Sequence, residues 1–138
     1  MKFWKKLLIA FGLVFVIFAV CAAVGIYLLG RGMCGNDIYK EYISPNGKLK
    51  AVVFQRDCGA TTGFSTQISV MAAKDDLKNE AGNIYIIDGQ PSQPSPKVFW
   101  RNNNELIISK PINGSEYKAE NSWGYLNKVK ISYEKAGS

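Results

Sequence analysis

The sequence predicts a mainly β protein: one N-terminal transmembrane helix followed by a small antiparallel β-sandwich or curved β-sheet domain. Three observations carry this reading. Residues 7–29 form an apolar run without charge or proline. Beyond it, short segments alternate apolar and polar residues with period two, and clusters of turn-forming residues punctuate them about every 8 to 14 positions. No later stretch offers the crossover helices that a parallel sheet requires.

The apolar run (LLIAFGLVFVIFAVCAAVGIYLL) has 23 residues and, at about 1.5 Å per residue, reaches roughly 35 Å. That crosses a hydrocarbon core of about 30 Å with a little tilt. A helix that is apolar on every side finds no burial partner in a domain of about 100 residues, so lipid is its natural solvent. Lys2, Lys5 and Lys6 precede the run while only Arg31 follows it closely, which keeps residues 1–6 in the cytoplasm and translocates the rest. Trp4 and Tyr27 fall where amphipathic rings settle at headgroup level. The competing reading is a cleaved secretory signal. Against it, the run exceeds the usual 7 to 15 or so apolar residues and lacks an A-x-A site. A lipoprotein signal is disfavoured because Cys21 follows Val20 and Cys34 follows Met33. An uncleaved anchor at 7–29 is expected, then a linker over 30–36, a β domain over 37–134 and a tail over 135–138.

The formal charge of +6 belongs mostly to the anchor. Setting aside Lys2, Lys5, Lys6 and Arg31 leaves thirteen basic against eleven acidic residues, scattered singly. That is no phosphate-binding face, and nucleic acid is excluded as a partner. A domain of about 100 residues has a core only just sufficient for stability, so a covalent staple is expected. Cys34 and Cys58 are the only cysteines outside the apolar run, and an oxidising compartment favours their pairing. The alternative is a free Cys34 in the flexible-looking GRGMCGN stretch.

Strands are expected at 38–43 and 48–56, joined by a tight turn at SPNG, where Pro takes the second turn position and Asn-Gly follows. Residues 64–72 alternate most clearly. Phe64, Thr66, Ile68, Val70 and Ala72 share an inward face, and Ser65, Gln67 and Ser69 point outward, as in a half-buried strand. Residues 73–81 are charged and suggest one or two helical turns. Further strands follow at 83–88, 97–101 and 105–110, the last two around Asn102, Asn103 and Asn104, which tolerate a left-handed turn. The three prolines within 89–96 mark a loop. Residues 111–124 read as irregular, and 128–134 as a last strand with Val129, Ile131 and Tyr133 inward.

The chain has no histidine, which removes Ser-His and Cys-His nucleophile pairs, imidazole metal ligands and the usual general base. The cysteines are too few for a four-thiolate zinc site, and no phosphate-loop, dinucleotide or EF-hand spacing is present. No metal or cofactor is expected. What stands out is the glycine- and hydroxyl-rich stretch between two strands, RDCGATTGFSTQ at 56–67. Arg56, Thr61, Thr62 and Ser65 are its candidate ligand-binding residues: a cation and three hydroxyls beside glycines whose backbone N–H groups can converge. A plain structural reading competes, in which Gly59 and Gly63 take positive φ, Asp57 caps a turn and the hydroxyls satisfy backbone groups. Trp100, Trp123, Tyr125, Phe99 and Tyr117 offer an aromatic recognition surface or, as in many small β domains, part of the core.

The string SPNGKLKAVVFQRDCGATTGFSTQISV, residues 44–70, resembles a segment shared by small bacterial exported proteins of unassigned activity, many of them lipoprotein-like. The resemblance covers about a fifth of the chain and is most specific in RDCGATTGFSTQ. It implies a bacterial envelope location and no known activity; with the anchor and its basic flank, the expected place is the plasma (inner) membrane with the C-terminal domain periplasmic or extracellular. The expected function is a non-enzymatic protein- or ligand-binding module there, held in lipid through residues 7–29 and meeting a protein partner. The alternatives are a Cys58-dependent enzyme, with Arg56 assisting a thiolate, and a structural subunit of a membrane complex.

Overall fold

The computed structural model describes residues 1–59, 62–92 and 96–135 and divides into two compact units, Met1–Cys34 and Gly35–Ser138. The first is a single helix, α1 (Lys2–Gly32). Its stretch Lys2–Gly30 is long and apolar enough to cross a membrane, and large apolar side chains such as Phe11, Phe15 and Leu29 stand exposed along it. The second unit begins at once with a strand at Gly35, so only Met33 and Cys34 separate helix from strand where the sequence suggested a linker over 30–36.

That unit is the predicted β fold in two sheets. The first contains β1 (Gly35–Ile43), β2 (Leu49–Asp57), β3 (Ser65–Ala72), β4 (Tyr85–Asp88) and β7 (Lys118–Ala119), in the order β1-β2-β3-β4-β7. The second contains β5 (Lys97–Asn102), β6 (Glu105–Ser109), β8 (Ser122–Trp123) and β9 (Val129–Tyr133), in the order β5-β6-β9-β8. The SPNG turn joins β1 to β2 as its residues require: Gly47 N–H donates to Ser44 O at 2.8 Å, and Gly47 has φ +72°. Only glycine adopts such a backbone without strain.

The facing sheets share one core. Ala51, Val53, Ile68, Val70 and Tyr85 from the first meet Val98, Leu106, Ile108, Val129 and Ile131 from the second. Burying this many aliphatic side chains, at roughly 1.5–3 kcal/mol each, is the main favourable contribution to folding. The Trp100 indole N–H, donating to Tyr42 O at 2.8 Å, ties β5 to β1 across the sheets. The short passage from β7 to β8 turns the chain from one sheet into the other, and Tyr133 O–H donates to Glu120 O in that corner at 2.9 Å.

Five expectations are corrected. β6 and β9 pair in parallel, without a crossover helix, because the chain between them detours through β7 and β8 and gains its length that way. Those two short strands also replace the irregular segment expected over 111–124. Residues 73–81 form no helix. They belong to a strap across the outer face of the first sheet, held where Asn36 Nδ2 donates to Lys78 O and Glu80 O at 3.0 and 2.8 Å. Under it β3 is buried on both faces rather than half-buried: Gln67 and Ser69 are inaccessible, with Gly82 N–H donating to Gln67 Oε1 at 2.6 Å and Asn83 N–H to Ser69 Oγ at 3.2 Å. Phe64, expected inward, precedes β3 and is 40% exposed. The expectations for the proline loop and the tail fall partly outside the described residues, at 93–95 and 136–138.

Candidate functional site

The conspicuous stretch lies at the end of the first sheet where Gly35 enters it. β1 and β2 pair as far as Gly35↔Asp57, and the next residue on each side, Cys34 and Cys58, closes the end of the ladder as a disulfide. In a chain-entropy view a loop of about 24 residues closed this way contributes on the order of 3 kcal/mol. Cys21, within α1, is a free thiol.

Beyond Cys58 the chain turns on local hydrogen bonds. Asp57 Oδ1 accepts from Gly59 N–H at 2.9 Å, Gly59 takes φ +109°, and Thr62 directs both its N–H and its hydroxyl to Gly59 O, each at 3.2 Å. Gly63, expected at positive φ, does not adopt it, whereas Gly59 does. The chain re-enters the sheet at Ser65, whose register partners are Arg56 on β2 and Asp88 on β4.

That register is what makes a site. Arg56, Ser65 and Asp88 stand in one row across three strands, and Tyr117 adds its hydroxyl to the end of it by donating to Asp88 Oδ2 at 3.0 Å. Burial plays the smallest part in raising the Tyr117 pKa; the hydrogen bond to Asp88 comes first and the carboxylate's charge second. An open groove of about 730 Å³ runs over the row, with Thr62, Phe64 and Gln90 at its sides. Arg56 is held in place by its Nη1, which donates to Asn36 Oδ1 at 2.7 Å and Asn79 Oδ1 at 3.1 Å. Ser65 Oγ accepts from Gln67 Nε2 at 2.8 Å.

Of the residues singled out from sequence, Arg56, Thr62 and Ser65 thus come together in one groove, while Thr61 lies outside the described residues. Asp88 is a member that sequence reasoning missed, and Tyr117, singled out there only as an aromatic, joins the groove through its hydroxyl. No spacing could have found them, since they reach the row through the pairing of β3 with β4 and of β4 with β7. The five aromatics divide: Trp100 and Trp123 pack against the core, whereas Phe99, Tyr117 and Tyr125 are exposed.

The fold and groove define a small β-sandwich-like domain that follows an apolar N-terminal helix in the chain, with a polar, preorganised cleft beside its disulfide. Comparison with protein-family models, curated proteins and solved structures returns no match, so the functional reading rests on geometry alone.

Proposed function

We propose that this chain is a membrane-anchored, non-enzymatic binding module of the bacterial envelope, with its β domain on the extracytoplasmic side and the groove over Arg56, Ser65, Asp88 and Tyr117 as the surface that meets a protein partner or polar ligand. The observation that carries the reading is the convergence of a guanidinium, a carboxylate and two hydroxyl groups from four separated segments into one open groove. Such a place, with few polar groups at set positions and an apolar flank at Phe64, suits recognition of a short polar segment. The basic residues in the first turns of α1, ahead of its apolar run, and the oxidised cysteine pair support an extracytoplasmic placement. A Cys58-dependent reaction would first need the bridge to be reduced, since the thiolate is the nucleophile.

Two measurements test the proposal. Protease added outside spheroplasts should digest the β domain, and complete protection there would overturn the topology. A photo-reactive residue at position 62 of the full-length chain in its own membrane should give one discrete adduct, diminished by Asp88→Ala. If labelling matches that from a probe at exposed position 74, the groove is not the binding surface.

A further inference from the structure

The opposite end of the β domain carries a second concavity, independent of the groove. Three turns converge there: 44–48 between β1 and β2, 103–104 between β5 and β6, and 124–128 between β8 and β9. Asn46 N–H donates to Asn103 Oδ1 at 2.9 Å and Lys130 N–H to Asn104 O at 2.8 Å, which fixes the turns against one another. Between them lies a hollow of about 510 Å³, within the roughly 300–1,000 Å³ typical of small-molecule sites.

Its lining has an unusual composition. Four asparagines face it, at 46, 103, 104 and 127, with the rings of Trp123 and Tyr125, one lysine (Lys48) and no carboxylate. Asn46 and Asn103 engage their Oδ1 atoms in the turns, while their Nδ2 donors have no acceptor among the described residues. The side-chain amides of Asn104 and Asn127 make no hydrogen bond to another described residue. Each free amide offers a donor pair and an acceptor in one plane.

The aromatic ring beside these amides has no structural employment. Tyr125 is 99% exposed and Leu126 96% exposed, in a turn whose geometry depends on Gly124: its φ is +95°, and an added Cβ would stand 2.9 Å from Asn127 O. The turn needs glycine there; it does not need tyrosine next. Trp123, by contrast, is half-buried and anchored on the core, so one ring is fixed and the other stands free at the rim.

Planar amide donors and acceptors beside exposed aromatic faces match one ligand chemistry well. A pyranose presents a C–H face that packs on an aromatic ring and vicinal hydroxyls that bridge an amide's N–H and C=O. The absence of carboxylates and the presence of Lys48 also admit a sugar bearing an acidic group. We infer that the three-turn hollow is a saccharide-binding site taking one or two pyranose rings, with Tyr125 and Trp123 as stacking platforms and Asn104 and Asn127 as the hydroxyl readers.

The test uses the full-length protein in a detergent without a sugar headgroup, since maltoside or glucoside detergents would compete. Tryptophan emission is titrated with chitotetraose, maltotetraose, cellotetraose and mannotetraose, and in a parallel arm with vesicles with and without a glycolipid. At least one sugar should give a saturable change that is lost in Trp123→Phe. Tyr125→Ala should weaken it about 10-fold, the scale of one lost stacking partner, and Asn127→Ala several-fold, while Asp88→Ala in the distant groove leaves it unchanged. Because Tyr125 is almost wholly exposed, its alanine variant should keep the wild-type unfolding midpoint, so lost binding cannot be ascribed to misfolding. A response in the glycolipid arm alone would assign the site to a lipid-borne sugar. No response to any of these sugars, or binding indifferent to both Tyr125→Ala and Asn127→Ala, overturns the inference.

Discussion

Replacing Tyr85 by Phe should stabilise this protein, contrary to the usual effect of altering a core side chain. The Tyr85 ring is 1% exposed, among the aliphatic residues of both sheets and 5.9 Å from the ring of Tyr133. Its hydroxyl is buried and has no hydrogen-bond partner among the described residues. An orphaned buried hydroxyl costs about 1–3 kcal/mol, so removing it without changing the ring should raise stability at pH 7 by about 1 kcal/mol. Alkali gives a second readout. Burial first, and the charge of Glu116 second, push the Tyr85 pKa from 10.0 up to about 12. The folded state therefore holds the phenol proton more tightly than the unfolded chain. That contribution is fully present below pH 10 and is lost as the pH rises to about 12, at roughly 1.4 kcal/mol per unit. The wild type should thus lose about 2–3 kcal/mol more than Tyr85→Phe across this window. Guanidinium unfolding of the full-length chain in detergent, followed by near-ultraviolet circular dichroism at several pH values, measures both effects. Tyr133→Phe is the contrast: its hydroxyl does have an acceptor, Glu120 O, and its loss should cost about 1 kcal/mol. A Tyr85→Phe variant less stable than wild type by 1 kcal/mol or more would refute the reasoning.

Three further outcomes follow from the packing. Reducing the Cys34–Cys58 bridge, or replacing both cysteines by serine, should lower unfolding stability by about 3 kcal/mol and speed amide exchange at the Gly35 end of β1 before its other end; uniform exchange along β1 would contradict this. Gly82→Ala should cost about 1–3 kcal/mol by overpacking, because its Cβ would stand 2.9 Å from Tyr85 O and 3.0 Å from both Gln67 Cβ and Ile68 O; a denaturation midpoint equal to wild type would mean that the strap is free to yield. Glu41→Ala strands the nearly buried Lys50 ammonium, now 2.9 Å from the Glu41 carboxylate. The expected loss is about 1–2 kcal/mol, less than for a fully buried pair because Glu41 is partly in water, and Lys50→Met in the same background should recover it.

Features encoded by adjacent residues were legible in the sequence, and features made by distant pairing were not. The SPNG turn is visible because each of its residues has a local conformational preference, and the apolar helix because its run is unbroken. The buried outer face of β3 is invisible because what covers it, AKDDLKNEAGN, has the composition of a solvated loop; Gln67 and Ser69 are buried there by partners 14 or 15 positions away. The parallel pairing of β6 with β9 likewise depends on a route through both sheets. The candidate groove shows the same division. Arg56, Thr62 and Ser65 lie within one local stretch, but Asp88 joins them only through the β3–β4 register, and Tyr117 only because β7 adds to the sheet's edge.

The two candidate surfaces differ in how far their polar groups are already engaged, and that difference predicts how their variants behave. In the groove, Arg56 is bound by Asn36 and Asn79, Ser65 by Gln67 and Asp88 by Tyr117. A ligand there exchanges intramolecular hydrogen bonds for its own, so the net gain per bond is small and affinity must come from shape and from the half-exposed Phe64. Arg56 also helps to hold the strap through Asn79, so Arg56→Ala should lower the unfolding midpoint as well as any binding. At the three-turn end, Asn127 holds nothing in place through its side chain, and a ligand there displaces only water. Asn127→Ala should leave the midpoint unchanged and alter binding alone. A midpoint lowered by Asn127→Ala but not by Arg56→Ala would reverse the assignment of which end is built for stability and which is left open for a ligand.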